Sequence, residues 1–398
     1  MEDNPLKTEK LNVLIYGKVG SREKALIEML DNSPEVNKIH FFTTSADTRQ
    51  MQKIISTEMP ADFKETVRYC QQNKIDLVIV GPEAPLAEGL ADVLRTAGIA
   101  VFGPGADAAK LEASKEWSNG FMLRHNIPTA KTTVHTSLPQ ALDKIRSQET
   151  WPVVVKYDGL MGGKGVTICY SPDEARVALE KLYNNEPNAV VLLQEYLPDN
   201  PAMVRSEVSV HVIVSSDGSC KILPTGQDYK PRFDRDKGPM TGGMGCFGPV
   251  PGVNMDRIET EIIKPTIEGL LQEKLDYRGV IYFGIKLCPD GPMVVEYNVR
   301  FGDPEMVTLS KLITSDLIPL LWTAAKGEDI SKLEVEVFDG SAVSVVIVDK
   351  AYPTSGGRVD VFTKQGSTIA EARELVYAGI TRSGITDSDY RKDIAASM

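Results

Sequence analysis

The sequence predicts an α/β and α+β protein: a doubly wound parallel N-terminal unit, a larger antiparallel unit with interspersed helices, and a small C-terminal α/β unit. Three observations lead there. Short apolar runs alternate with helical periodicity from Leu11 to Phe102, the pattern of parallel strands joined by crossover helices. Past Pro128 the texture changes to β-branched runs separated by glycine-rich turns. A length of 398 residues, 42% hydrophobic and 25% charged, provides apolar surface for several packed units and excludes disorder.

In the N-terminal unit, strands are expected at Leu11 to Tyr16, Lys38 to Phe42, Leu77 to Val80 and Ile99 to Phe102. Helices run to Leu30, around Phe63 to Asn73 and from Leu86 to Ala97. Such sheets bind ligands at the carboxyl ends of their strands. The middle unit has a strand from Trp151 to Tyr157, a tight loop from Gly159 to Gly165 and a returning strand from Val166 to Tyr170. Ser171-Pro172-Asp173-Glu174 then opens a helix with a side-chain cap, a proline at its first position and two acids against the dipole. Val190 to Glu195 and Glu207 to Val214 are further strands, the second alternating cleanly. Residues 330–398 carry strands at Ala342 to Val348 and Val359 to Phe362, and a helix near Ile369 to Ala378.

Composition narrows the function. No run of about 18 apolar residues and no apolar leader occurs, so a cytoplasmic protein with no membrane partner is expected. Cys70, Cys169, Cys220, Cys246 and Cys288 are dispersed and odd in number, which favours reduced thiols over disulfides or zinc. A formal charge of −11 disfavours a protein that grips a nucleic-acid backbone. The expected partners are small molecules, each anion being held by a local pocket, and the expected state is a monomer or weak homo-oligomer.

Several loops supply such pockets. Gly17-Lys18-Val19-Gly20-Ser21 follows the first strand but lacks the full dinucleotide fingerprint, and no acid ends the second strand. It is either a helix N-terminus that holds a small phosphate or carboxylate, with Arg22 and Lys24 adding charge, or a turn that merely needs glycine. Glu83, after the third strand, is a hydroxyl acceptor or an ordinary helix-start acid. Gly159 to Gly165 resembles a phosphate cradle, yet Lys164 is followed by Gly165 and a β-branched strand, so it is no Walker loop. Lys156 adds a second cation. In Met293 to Phe301, strand alternation puts Glu296, Asn298 and Arg300 on one face and Val295, Tyr297, Val299 and Phe301 on the other. A carboxylate and an amide oxygen two residues apart are hard ligands suited to magnesium, and Arg300 suits phosphoryl oxygens. Gly238 to Gly245, preceded by Gln227-Asp228-Tyr229-Lys230, is a second small-residue loop whose amides can approach a developing oxyanion. No Ser/His/Asp or Cys/His arrangement suggests nucleophilic catalysis.

Together these residues resemble the ATP-grasp ligases, and within them the phosphoribosylamine–glycine ligase family. The stretches that carry the resemblance are Gly81 to Leu86, Leu111 to Lys115, Lys156 to Gly159 with Gly162 to Gly165, Thr241 to Gly245, Glu296 to Glu305 and Arg391 to Ile394. The resemblance implies a pre-ATP-grasp domain (1–112), an ATP-grasp domain (113–327, with a mobile lid at about 130–197) and a C-terminal domain (328–398). It implies that Lys115, Lys156, Gly162, Gly163 and Lys164 meet ATP phosphates, that Glu195, Tyr196 and Leu197 form the adenine hinge, and that Glu207 accepts ribose hydroxyls. Glu296 and Asn298 would hold Mg2+ or Mn2+. Gly20, Arg22, Glu23, Glu83, Thr241, Gly242, Gly243, Asp303 and Pro304 would face the substrates, with Arg300, Asp228 and Lys164 catalytic. The implied reaction joins glycine to phosphoribosylamine at the expense of ATP, in purine biosynthesis.

Departures from the family pattern cluster on the amine side. The first loop is one residue longer, with Lys24 in place of His. Thr43-Thr44-Ser45-Ala46 replaces a Pro-Gly-Asn motif, Tyr229 stands where His is usual, and Val299 at a Cys-like position. The C-terminal unit is shortened between Pro353 and Gly356. A ligase that takes a different amine, and a silent nucleotide-binding scaffold, are therefore the competing readings.

Overall fold

A computed structural model describes residues 10–18, 20–42, 53–160 and 165–398. The expectations for Gly162, Gly163 and Lys164, and for Thr43 to Ala46, lie outside these residues.

The N-terminal sheet is five-stranded and parallel, in the order Ile54–Thr57, Val36–Phe42, Leu11–Lys18, Leu77–Val80, Ala100–Phe102. Val13, Leu14 and Ile15 are all fully buried, as a central parallel strand covered on both faces requires. One face packs on Leu86, Leu90 and Leu94. The other packs on Leu26 and Ile27, and on the helices Glu305–Leu312 and Ile318–Lys326. The edge strand Ile54–Thr57 is an addition to the expected elements: unlike the wholly buried Leu77–Val80, it has two apolar residues followed by Ser56 and Thr57, and none of the four is buried. The single helix expected from Leu86 to Ala97 is two, Glu83–Ala87 and Leu90–Thr96. They break at Gly89, whose φ of +89° suits a residue without Cβ.

A second, antiparallel sheet runs Thr132–His135, Val191–Glu195, Val153–Tyr157, Val166–Cys169. The helices Leu138–Arg146 and Pro172–Asn185 cover it, and its core (Ala141, Val155, Leu179, Val191, Leu193 and neighbours) is drawn wholly from this segment. Ser171 caps the second helix, accepting from the Glu174 N–H at 3.2 Å.

The third sheet is Cys220–Ile222, Glu207–Val214, Gly279–Cys288, Gly291–Asn298, also antiparallel. The clean alternation expected along Glu207–Val214 does not translate into one wet face: every residue from Val208 to Val214 is buried. Its polar members find internal partners. The Ser209 hydroxyl donates to the Gly226 carbonyl at 3.0 Å, and His211 Nε2 accepts from the Gly302 N–H at 3.1 Å.

The last sheet crosses the expected unit boundary. Gln227–Asp228 and Gly245–Gly248, from the middle segment, continue into Ser341–Asp349 and Arg358–Gly366, with Ser388–Asp389 pairing on Ser341–Asp349. The helix Ile369–Ser383 closes it with Ala372, Val376 and Ile380. Among the described residues no helix is long and apolar enough to cross a membrane.

Candidate active site

A cleft of about 450 Å³ lies where the second and third sheets, the N-terminal unit and the Gly242 loop meet. Its floor is the strand Gly291–Asn298. Gly284 pairs with Glu296 and Ile285 with Val294, which leaves Val295 as an unpaired bulge residue. Beyond the bulge the expected alternation stands in burial: Tyr297, Val299 and Phe301 are buried, whereas Glu296, Asn298 and Arg300 are partly exposed in the cleft, which Tyr297 also borders. Val295 is a correction, because the bulge turns it to the cleft side, where its carbonyl accepts from Lys156 Nζ at 3.2 Å.

Arg300 is the electrostatic hub. Its guanidinium lies 2.9 Å from Glu112, 3.3 Å from Glu83 and 3.2 Å from Asn298 Oδ1. Burial opposes its charge, yet Glu112 and Glu83 hold its pKa above the usual arginine range. Burial also pushes the Glu112 carboxyl up to about 7, against the pull of Arg300. Lys230 bridges Glu296 (3.4 Å) and Asp228 (3.8 Å). The Asp228 charge raises Lys230 well above its ordinary value, whereas burial raises Asp228. For Glu296, burial is outweighed by Lys230 and Lys156, and its carboxyl is held low.

Opposite the floor, Lys115 Nζ donates to the Gly159 carbonyl at 2.8 Å. Burial lowers the pKa of both Lys115 and Lys156, the latter to about 8. Two ammonium groups held partly desolvated beside a carboxylate are poised for a polyanion that restores their charge balance. Glu195, Tyr196 and Leu197 form the edge next to them, with Glu207 beyond. Lys286 stands between Asp199 (2.6 Å) and Glu207 (3.6 Å).

At the other end, Arg22 reaches the Phe301 carbonyl at 3.1 Å and pairs with Glu23 at 2.6 Å. Glu23 is buried behind the wall, where it also accepts from the Gly20 N–H at 2.9 Å and so closes the start of helix Ser21–Asn32. Asp303 accepts from the Ser21 hydroxyl (2.7 Å) and pairs with Arg358 (2.6 Å). Arg358 also donates to the carbonyls of Gly242 and, at 3.0 Å, Gly243.

The cleft thus gathers Arg22, Glu83, Lys115, Lys156, Glu195, Tyr196, Leu197, Glu207, Asp228, Thr241, Gly242, Glu296, Asn298, Arg300 and Asp303. Gly20, Glu23, Gly243 and Pro304 do not line it, and Lys24 is exposed outside it. Sequence reasoning passed over Glu112, Lys230, Lys286, Glu305 and Arg358, all of which line the walls. For Lys230 a signal existed, since strand alternation puts it on the side of Asp228.

Among the described residues no three His, Cys, Asp or Glu side chains gather as a self-sufficient metal cage. The donor set fits a different kind of site. Glu296 and Asn298 offer two hard oxygens from one strand, both facing the cleft and both contacted by cationic side chains. Magnesium bound this way takes its remaining ligands from phosphate and water.

Two family models match the chain in tandem: "Phosphoribosylglycinamide synthetase, N domain" over residues 11–112 and "Phosphoribosylglycinamide synthetase, ATP-grasp (A) domain" over 113–306. The phosphoribosylamine–glycine ligase of Rhizobium meliloti (strain 1021) is 34% identical, over 96% of this chain and 98% of that protein. The crystal structure of phosphoribosylamine–glycine ligase from Thermotoga maritima superposes with a TM-score of 0.80 at 28% identity, covering 96% of this chain and all of that one. A Campylobacter jejuni biotin carboxylase shares the fold at 13% identity, over 93% of this chain and 91% of that one, with a TM-score of 0.71.

Proposed function

We infer the activity from one premise: the chain belongs to the phosphoribosylamine–glycine ligase family of the ATP-grasp superfamily. It is an ATP-dependent carbon–nitrogen ligase that joins glycine to 5-phosphoribosylamine and releases glycinamide ribonucleotide, ADP and phosphate, a step of purine biosynthesis. The glycine carboxylate attacks the γ-phosphorus and ADP leaves. The amine then attacks the carbonyl of the glycyl phosphate, and phosphate departs.

The observation that carries this reading is the continuity of one cleft from the lysine pair Lys115 and Lys156 to the Arg22 and Asp303 end. A nucleotide laid along Glu195 to Leu197 brings its phosphates between the lysines and the Glu296 strand. Glu296 and Asn298 would hold the divalent cation, which supplies neutralising charge to phosphate oxygens. Arg300, fixed by two carboxylates, meets developing negative charge without having to reorganise. Asp228 and Lys230 sit between the phosphate side and the acceptor side, the Asp228 carboxylate placed to orient the amine and take its proton and the Lys230 ammonium to hold that carboxylate. Arg22 and Glu83 receive the phosphoribosylamine. Since this two-step scheme requires no covalent enzyme intermediate, aligning three reactants and excluding water supply the acceleration.

Measuring ADP release with glycine while the amine is varied tests the assignment. Stimulation by phosphoribosylamine is expected. Stimulation by another amine alone would redirect the acceptor, and stimulation by none would leave only a nucleotide-binding scaffold.

A further inference from the structure

Between the cleft and the C-terminal tail stands Tyr229, 2% exposed. Its neighbours Asp228 and Lys230 line the cleft, and its ring is packed on the tail. Two guanidinium groups lie over that ring: Arg205 at 4.1 Å and Arg391 at 4.8 Å from the centroid. Its hydroxyl accepts from the Ala395 N–H at 2.9 Å. Both arginines converge on Asp236, Arg205 at 2.5 Å and Arg391 at 2.8 Å. Arg391, 1% exposed, also forks onto Asp393 with contacts of 2.8 and 2.7 Å. Arg235 N–H and Lys392 N–H close the ring onto Asp393 and Asp234.

A buried, bidentate arginine with a fixed partner is a stiff element, and stacking on an aromatic face adds to it. The backbone of this stretch is tied to the neighbouring strand, Asp228 pairing with Cys246, and Thr241 donates to the Lys230 carbonyl through its N–H at 2.9 Å and its hydroxyl at 2.7 Å. The Lys230 side chain itself contacts Asp228 at 3.8 Å and Glu296 at 3.4 Å. The direction in which both side chains enter the cleft is therefore set by this ladder together with the hold on Tyr229 from behind.

We propose that Tyr229 is a positioning residue, gripped by Arg205 and by Arg391 of the C-terminal tail, and that this grip aims Asp228 and Lys230 at the reacting groups. The inference rests on the ligase reading. Turnover by the wild-type chain tests that reading first, and a silent wild type would remove both. With turnover established, Tyr229→Leu and Arg391→Met in the full-length protein test the grip alone. Both should lower kcat by about tenfold to a hundredfold, as misaligned reacting groups do, with KM for MgATP within about twofold. Arg391→Lys, which keeps a cation over the ring, should recover part of kcat. Should Arg391→Met fail to fold, Arg205→Met removes the second cation without touching the tail and carries the same expectation. Wild-type kcat per folded molecule in variants with a lowered Tm would reduce the cluster to a structural staple and overturn the proposal. A parallel loss of MgATP affinity would do the same.

Discussion

Glu112 and Arg300 meet at 2.9 Å across the join between the N-terminal unit and the cleft floor. The same carboxylate accepts from the Val299 N–H at 2.7 Å, so one buried acid fixes both the strand end and the guanidinium that lines the cleft. Breaking a buried pair leaves an uncompensated charge. Glu112→Ala should therefore destabilise the fold by roughly 3 kcal/mol in urea denaturation and cut kcat as Arg300 loses its direction. A loss under about 1 kcal/mol, the range of an exposed pair, would mean that Glu83 alone suffices to hold Arg300.

Glu296→Ala should abolish ligation while the far-ultraviolet circular dichroism and the melting profile stay close to wild type. The carboxylate faces an open cleft, so its removal leaves no cavity in the core. Ligation at an undiminished rate would refute its assignment as a cation ligand.

Lys286 holds Glu207 from one side and Asp199 from the other. Lys286→Met should raise KM for ATP by about tenfold, the loss of roughly one charge-assisted hydrogen bond to the ribose side, with a smaller change in kcat. An unchanged KM for ATP would place the ribose elsewhere.

How far the sequence alone reaches depends on how local the cause is. The Leu77–Val80 strand and the Ser171 cap could be read because their signals lie within a few residues. The Glu296, Asn298 and Arg300 face was legible for the same reason. Val295 was misassigned because a bulge is set by its partner strand, at Gly284 and Ile285, and leaves no mark in its own segment. Glu207–Val214 alternates in sequence yet is buried from Val208 to Val214, because the elements that cover its second face are distant in sequence. Glu112, Lys286 and Arg358 act through partners 55 to 188 positions away, and nothing in their own neighbourhoods announces them. Glu23 shows the reverse case. Beside Arg22 in sequence, it looks like a substrate residue, and folding sends it behind the wall as the cap and counter-ion.

His211 makes stability depend on pH. Burial, and secondarily the Arg300 charge, pushes its pKa down to about 3 from an ordinary 6.5. Its neutral Nε2 accepts from Gly302 N–H. The unfolded chain takes up this proton as pH falls below 6.5, and the folded chain does not until about 3. The stabilisation is therefore complete above 6.5 and is lost progressively on acidification through that window. Relative to His211→Gln, the wild type should lose about 1.4 kcal/mol more per pH unit there, one proton's worth. Parallel acid limbs for the two proteins would show that His211 is protonated in the native state.

The central claim is that the Lys115, Lys156 and Glu296 region receives ATP together with a divalent cation. Isothermal calorimetry measures this directly, by titrating ATP into the protein with magnesium and then with a chelator. The account predicts uptake of one nucleotide that weakens markedly without magnesium and, in Glu296→Ala, no longer responds to it. Nucleotide binding that is indifferent to magnesium in the wild type, or no binding at all, would contradict it.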